Sequence, residues 1–324
     1  MSDTLILLGS VPLTRFGCMM GLALLAVLLC AAPIARLRRM SYGAFIRLVV
    51  VCIPMGWLVS RLVYVLANCT YYLTTLSNPV LALRFWDGGY SIAGAMLGLW
   101  LGAVIAAKWA HVDTAGMLDA ISYGMPLGLV IERLSESGTG MGLGRAISYD
   151  WLTFLGIDDG MGDLVHPVYC YEAVVAAVLF LVLTVMILRR RDRLPKGDLA
   201  LVFMTLYGTT QALLESLRND GHMVVHFVRI QQCLFLIFAL VAFGVYLHRA
   251  VQKGCMQKSQ QILCWLIAVA CVGVCAVMEF RVDRGTLKWL YYTVMLLCLG
   301  VIAGMTFYFR SLSQQWRGGS VKRA

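Results

Sequence analysis

Charge is what this 324-residue chain has least of: Asp, Glu, Lys and Arg make up 14% of it, where a soluble domain carries roughly 25%. Hydrophobic residues make up 60%, and the mean hydropathy is +0.79. No core closed by a chain of this size hides so much apolar side chain, so a bilayer must cover the rest. A soluble enzyme, a secreted disulfide scaffold and a disordered tail protein are excluded. The chain also lacks a CxxC pair and any His or Cys spacing suited to a metal: His111, His222, His226 and His248 stand alone. Its eleven cysteines lie mostly in apolar runs, where Cys acts as a small apolar residue. Neither a metal nor another cofactor is expected. There is no fixed-period repeat and no small-x-small cleavage site after the first apolar run, which therefore reads as a retained helix.

What the chain has is spanning segments. A membrane helix needs about 20 mostly apolar residues, and such stretches occur at 16–35, 44–67, 90–110, 115–131, 170–188, 198–216, 228–247, 262–280 and 289–309. Two of them carry interruptions, Asp119 and Pro126 in the fourth and Arg47 and Arg61 in the second. Lys and Arg collect on the cytoplasmic side of short loops. The odd-numbered loops and the tail hold sixteen basic residues and the even-numbered loops seven. This places the N-terminus outside and the C-terminus in the cytoplasm. The net charge of +10 then becomes anchoring near anionic headgroups, and nucleic acid is not an expected partner.

This topology collects the unusual polar residues on the outer side: Arg84, Trp86 and Asp87, then Arg133, Glu136, Arg145 and His166, then Glu215 and Arg218. Ionisable groups near a membrane interior are costly and default to functional hypotheses. Gln211, Glu215 and Arg218 fall at i, i+4 and i+7, one polar stripe if the sixth span stays helical to its end. Arg47 is expected to snorkel to the cytoplasmic interface and Arg61 to approach the outer cluster. The loop after Arg133 alternates Gly138, Gly140, Gly142 and Gly144 before Arg145, a pattern that suits either backbone contact with a phosphate or a plain surface loop. Gly94, Gly98 and Gly102, and Gly17 with Gly21, have the spacing of close helix packing.

At these residues the chain resembles the prolipoprotein diacylglyceryl transferases. The segments are Ser60-Arg61-Leu62-Val63-Tyr64-Val65, Asn78-Pro79 through Arg84-Phe85-Trp86-Asp87-Gly88-Gly89, Pro126 to Leu134, His166-Pro167 with Tyr171-Glu172, and Tyr207-Gly208 with Glu215 and Arg218. The resemblance covers roughly 11–250. It implies an all-α polytopic membrane protein, with a seven-helix transferase-like core plus two C-terminal transmembrane helices. The domain reading is 1–250 for the transferase-like membrane domain and 251–324 for an accessory hairpin and basic tail. It further implies a multi-pass protein of the bacterial inner membrane that moves the diacylglyceryl group of phosphatidylglycerol to the lipobox cysteine thiol of a prolipoprotein. The partners would be phosphatidylglycerol, prolipoprotein signal peptides and membrane lipids.

The resemblance assigns catalysis to Arg133, Glu215 and Arg218. It assigns substrate binding to Arg61, Asp87, Gly144, Arg145, His166, Tyr171, Glu172 and Gln231. Arginines would grip the phosphate, Glu215 would orient an arginine, and the thiol, of ordinary pKa about 8.5, must lose its proton. Four polar residues of the family pattern are replaced, by Phe16, Ala93, Glu136 and Gln211. Two readings follow: a transferase in which another group such as Glu136 or His166 takes the proton or the thiol ionises unaided in a strongly cationic pocket, or a catalytically inactive paralogue that binds lipid or signal segments. A small-molecule transporter would want charges at mid-bilayer on broken helices, whereas these are biased outward.

Overall fold

A computed structural model describes the chain except for residues 1–3, 9–10, 76–78, 86–87, 148–149, 191–193, 222, 226–227 and 320–324. Among the described residues it has nine α-helices of 19 to 32 residues, and eight of them are long and apolar enough to cross a membrane. The protein is thus an all-α polytopic membrane protein. The helix outside that set is α6 (Asp198–Leu217), whose Asp198, Gln211, Glu215 and run of threonines break its apolar length. The chain forms two compact units, 1–203 with 217–225 and 204–216 with 226–324. This division falls inside α6.

The first unit opens with an antiparallel hairpin of β1 (Thr4–Leu8) and β2 (Val11–Thr14). Five helices follow: α1 (Arg15–Leu37), α2 (Tyr42–Ala67), α3 (Ile92–Ala110), α4 (Thr114–Ser135) and α5 (Val168–Arg190). The glycine row of α3 packs on α2. A Cβ at Gly98 would stand 2.3 Å from the Met55 carbonyl, and one at Gly102 would stand 2.9 Å from Cys52 Cα. Gly21 has nothing within 4 Å. The α1–α4 contact is instead made from the other side, where a Cβ at Gly124 would lie 2.2 Å from the Val27 carbonyl and one at Gly128 3.0 Å from that of Ala23. Small residues let backbones approach where lipid supplies no hydrophobic drive between helices.

Asp119 and Pro126 do not interrupt α4, which is continuous for 22 residues. Asp119 is fully buried, and its carboxylate accepts from the backbone N–H groups of Gly197, Leu199 and Ala200 at 2.9, 3.0 and 3.2 Å. It also accepts from Arg38. The first turn of a helix has N–H groups without intrahelical partners and a positive dipole end, so a carboxylate from a neighbouring helix satisfies that of α6. At the same end Arg47 lies over the Trp109 ring, 5.4 Å from its centroid.

Between α4 and α5 the long loop folds into a three-stranded sheet in the order β3 (Leu143–Ala146), β5 (Leu164–Pro167), β4 (Ile157–Asp158). Arg218 joins its edge in an antiparallel bridge to Gly144, and the Asn219 N–H donates to the Leu143 carbonyl at 2.9 Å. Helix α6 therefore ends at Leu217, one residue short of the Gln211–Arg218 stripe read from sequence.

The second unit contains residues 204–216 of α6 with α7 (Ile230–Gln252), α8 (Lys258–Arg284) and α9 (Lys288–Gly319). The C-terminal pair is packed into it: Ala212 shares a buried cluster with Cys275, Met295 and Leu299. The Gln232 amide donates to the Ala212 carbonyl at 2.9 Å and to Glu279 Oε2 at 3.0 Å.

Candidate functional site

The last turn of α4 places Arg133 beside the start of α5, which carries Glu172, and beside Arg218 on the sheet edge. All three are at least 96% buried. Arg133 Nε lies 3.2 Å from Glu172 Oε2, and Arg218 Nη1 donates to the same oxygen at 2.9 Å. Glu136 makes the second bridge. Its Oε1 accepts from Arg133 Nη1 at 2.9 Å and from Arg218 Nη2 at 3.3 Å, while its Oε2 accepts from Arg218 Nη2 at 3.3 Å. Two guanidiniums and two carboxylates thus close a ring inside the first unit. Two further acids attach to it: Glu132 Oε2 lies 3.3 Å from Arg133 Nε, and Asp220 Oδ2 accepts from Arg218 Nη2 at 2.7 Å. A buried charge is tolerable only when it is paired and hydrogen-bonded, and each charge here meets at least one opposite charge.

The alternating glycines serve this ring through shape. Gly138, Gly140 and Gly142 all have φ between 69° and 78°, a left-handed backbone that a side chain would strain. A Cβ on Gly142 would stand 2.2 Å from Glu136 Oε2, so only glycine lets the carboxylate lie there. The Gly142 N–H donates to Asp220 at 3.2 Å and its carbonyl accepts from the Tyr169 N–H at 3.1 Å. A Cβ on Gly144 would stand 2.7 Å from Val168, 2.9 Å from the Leu217 carbonyl and 3.0 Å from His166. Arg145, the next residue on β3, is partly buried.

His166 on β5 and Tyr171 on α5 form a pair, with Nδ1 and the phenol oxygen 3.1 Å apart. Burial holds the His166 imidazole below its ordinary pKa, which favours the neutral ring.

Arg61 is placed elsewhere in the same unit. Its guanidinium donates to the backbone carbonyls of Ala82 at 3.1 and 3.2 Å, Arg84 at 2.9 Å and Gly89 at 3.0 Å, and also to that of Gly88. The Tyr64, Tyr72 and Tyr90 rings surround it at 5.8 to 6.0 Å. In this arrangement Arg61 organises the loop between α2 and α3. Asp87 of that loop lies outside the described residues, as does the side chain of Phe16. Ala93 is fully buried in the first turn of α3.

The second unit holds its own polar group. Glu215 accepts from Gln231 Nε2 at 3.3 Å and lies 3.7 Å from Arg229 Nη1. Four residues earlier, Gln211 is fully buried, and neither end of its amide has a hydrogen-bond partner among the described residues. Tyr207 is buried edge-on to Phe235, with centroids 5.4 Å apart.

The structure therefore joins Arg133, Glu172 and Arg218, joins His166 with Tyr171, and joins Glu215 with Gln231. Sequence reasoning passed over Glu132, Asp220 and Arg229. Each stands one or two residues from a residue it did single out, and each is an ionisable group in a chain with few of them, which is the signal that pointed to the others.

Comparison with known proteins agrees with the motifs. Residues 3–248 match the family described as "Prolipoprotein diacylglyceryl transferase". A relative named phosphatidylglycerol–prolipoprotein diacylglyceryl transferase from Bacillus licheniformis is 26% identical over 262 residues, covering 79% of this chain and 95% of its own. A protein of the same name from Clostridioides difficile is 27% identical over 246 residues, covering 76% and 94%. One from Wolbachia pipientis is 30% identical over 185 residues, covering 56% and 68%. The chain belongs to the prolipoprotein diacylglyceryl transferase family.

Proposed function

We propose that this protein transfers the diacylglyceryl group of phosphatidylglycerol to the cysteine thiol of prolipoproteins, and that the ring of Arg133, Glu136, Glu172 and Arg218 is its reaction centre. In the transfer, a bond forms between the thiol sulfur and the glyceryl carbon that bears the phosphate ester. The carbon–oxygen bond breaks, its electron pair stays on the phosphate oxygen, and glycerol phosphate leaves. The thiol proton needs an acceptor and the phosphate needs cations in a dry place.

The observation that carries this reading is that both guanidiniums already converge on shared carboxylate oxygens. A phosphodiester oxygen fits the same donors, since Arg takes carboxylate and phosphate in one fork geometry. A phosphate that replaces Glu136 on Arg133 and Arg218 leaves a buried carboxylate without its cations. That carboxylate is then released from its ion pairs and can accept the thiol proton, so the step that seats the lipid also frees the base. Glu136 thereby takes up the proton for which the family pattern offers other groups. In the second unit Glu215 orients Arg229 and Gln231, and Gln211 offers its amide to a polar group of a substrate. The excess of Lys and Arg in the odd-numbered loops supports a reaction centre at the outer face of the inner membrane, with the N-terminus outside and the C-terminus in the cytoplasm.

Glu136→Gln keeps the shape and removes the base. Transfer from phosphatidylglycerol to a lipobox peptide should fall by about 10²–10⁴-fold in kcat, the usual size of general-base catalysis, with KM unchanged or lower. A variant that retains kcat would take the proton role away from Glu136.

A further inference from the structure

Helix α4 is 22 residues long, about 33 Å at the helical rise of 1.5 Å per residue, which matches a bilayer core. The arginine–glutamate ring occupies its Ser135 end. At its Thr114 end, where α1 and α3 finish and α2 and α4 begin, the first unit contains a recess of about 560 Å³. Arg38, Arg39, Lys196, Asp113 and Gly116 are among the residues that line it. Three are cations and one is a carboxylate.

That carboxylate is already engaged. Asp113 caps α4 through the Gly116 N–H at 3.0 Å and lies 3.6 Å from Lys196 Nζ. Arg38, with its side chain only 7% exposed, is a built part of the wall: Nη1 donates to the Leu194 carbonyl at 3.0 Å, and Nη2 donates to the Pro195 carbonyl at 3.1 Å and to Asp119. Its Nε is buried and has no hydrogen-bond partner among the described residues. Arg39 and Lys196 are exposed at the rim.

We infer that this recess is a binding site for a phosphate group, separate from the reaction centre and independent of the transferase reading. A buried guanidinium with an unused N–H, the exposed Arg39, and Lys196, which Asp113 holds only at 3.6 Å, are the donor set that a tetrahedral oxyanion takes. The recess lies where four span ends meet, at the level of the lipid headgroups, so the phosphate of an anionic lipid reaches it without leaving its leaflet. Free inorganic phosphate offers the same chemistry.

Native mass spectrometry of the full chain in neutral detergent tests this, with dihexanoyl phosphatidic acid, inorganic phosphate and dihexanoyl phosphatidylcholine as probes. Phosphatidic acid should bind, and the Arg39→Gln/Lys196→Gln double variant should weaken it about thirtyfold, at roughly 1 kcal/mol for each cation near an anionic group. Inorganic phosphate displacing the lipid would identify the free anion as an occupant. Phosphatidic acid displaced by neither phosphate nor phosphatidylcholine would identify the anionic lipid. Both support the site. Lys108→Gln removes a cation from the same end of α3 that does not line the recess, and should leave the Kd unchanged. Equal binding by wild type and double variant, or equal loss with Lys108→Gln, overturns the proposal. Arg39 and Lys196 are exposed and lie outside the buried network, so the double variant tests binding in a folded protein.

Discussion

One oxygen of Glu172 serves two arginines, and both of those arginines are buried. Removing a partner from such a network leaves charge in a low dielectric, which costs more than the pair was worth. Glu172→Ala should therefore destabilise the protein by about 3–5 kcal/mol, seen as a lower melting temperature in detergent. A surface residue would move it little, and that result would show that water reaches the ring. His166 gives a pH signature. Its folded-state pKa lies below the ordinary value of about 6.5, so its contribution is complete above that value and is lost as pH falls through the lowered one. The melting temperature of the wild type should fall more steeply from pH 7 to pH 5 than that of His166→Gln. Parallel curves would mean that the ring protonates at no cost. These residues were legible in the sequence because ionisable side chains are scarce in it. Their roles were less so: Arg61 stands in a family motif, yet its donors go to four loop carbonyls, and nothing in residue spacing distinguishes a phosphate ligand from a loop anchor.

Apolar runs set the elements, and all nine expected spans overlap long helices. The misread features share one cause, since a residue type has a different meaning according to what packs against it. Asp119 looked like a break in α4 and is the cap of α6. Gly21 looked like a packing glycine and faces open space, while Gly124 and Gly128 carry the contact with α1. The sheet after α4 is built from strands of two to four residues, too short for an alternating pattern to show. Gly98 and Gly124 each face a backbone carbonyl that cannot rotate away. Gly98→Leu and Gly124→Leu should each cost 1–3 kcal/mol or more by overpacking, roughly the range for added methylenes in a tight core. Gly21→Leu should be close to neutral. Equal melting temperatures for all three would refute the close approach of α2 to α3 and of α1 to α4.

At the scale of the whole molecule, the family match ends at residue 248, yet α8 and α9 pack around residues 204–216 of α6 through Gln232, Glu279 and Met295. The second unit is thus completed by chain that the family pattern does not contain. The family match supports transferase chemistry, and on the proposed reading this chain performs it with Phe16, Ala93, Glu136 and Gln211 at the four replaced positions. The direct measurement is to incubate the purified full chain with phosphatidylglycerol and a lipobox peptide and to look for the thioether product by mass spectrometry. The account predicts a diacylglyceryl thioether on the peptide cysteine, with release of glycerol phosphate, and its loss in Arg133→Gln. Phosphatidylglycerol bound by the wild type without any thioether formed would contradict it.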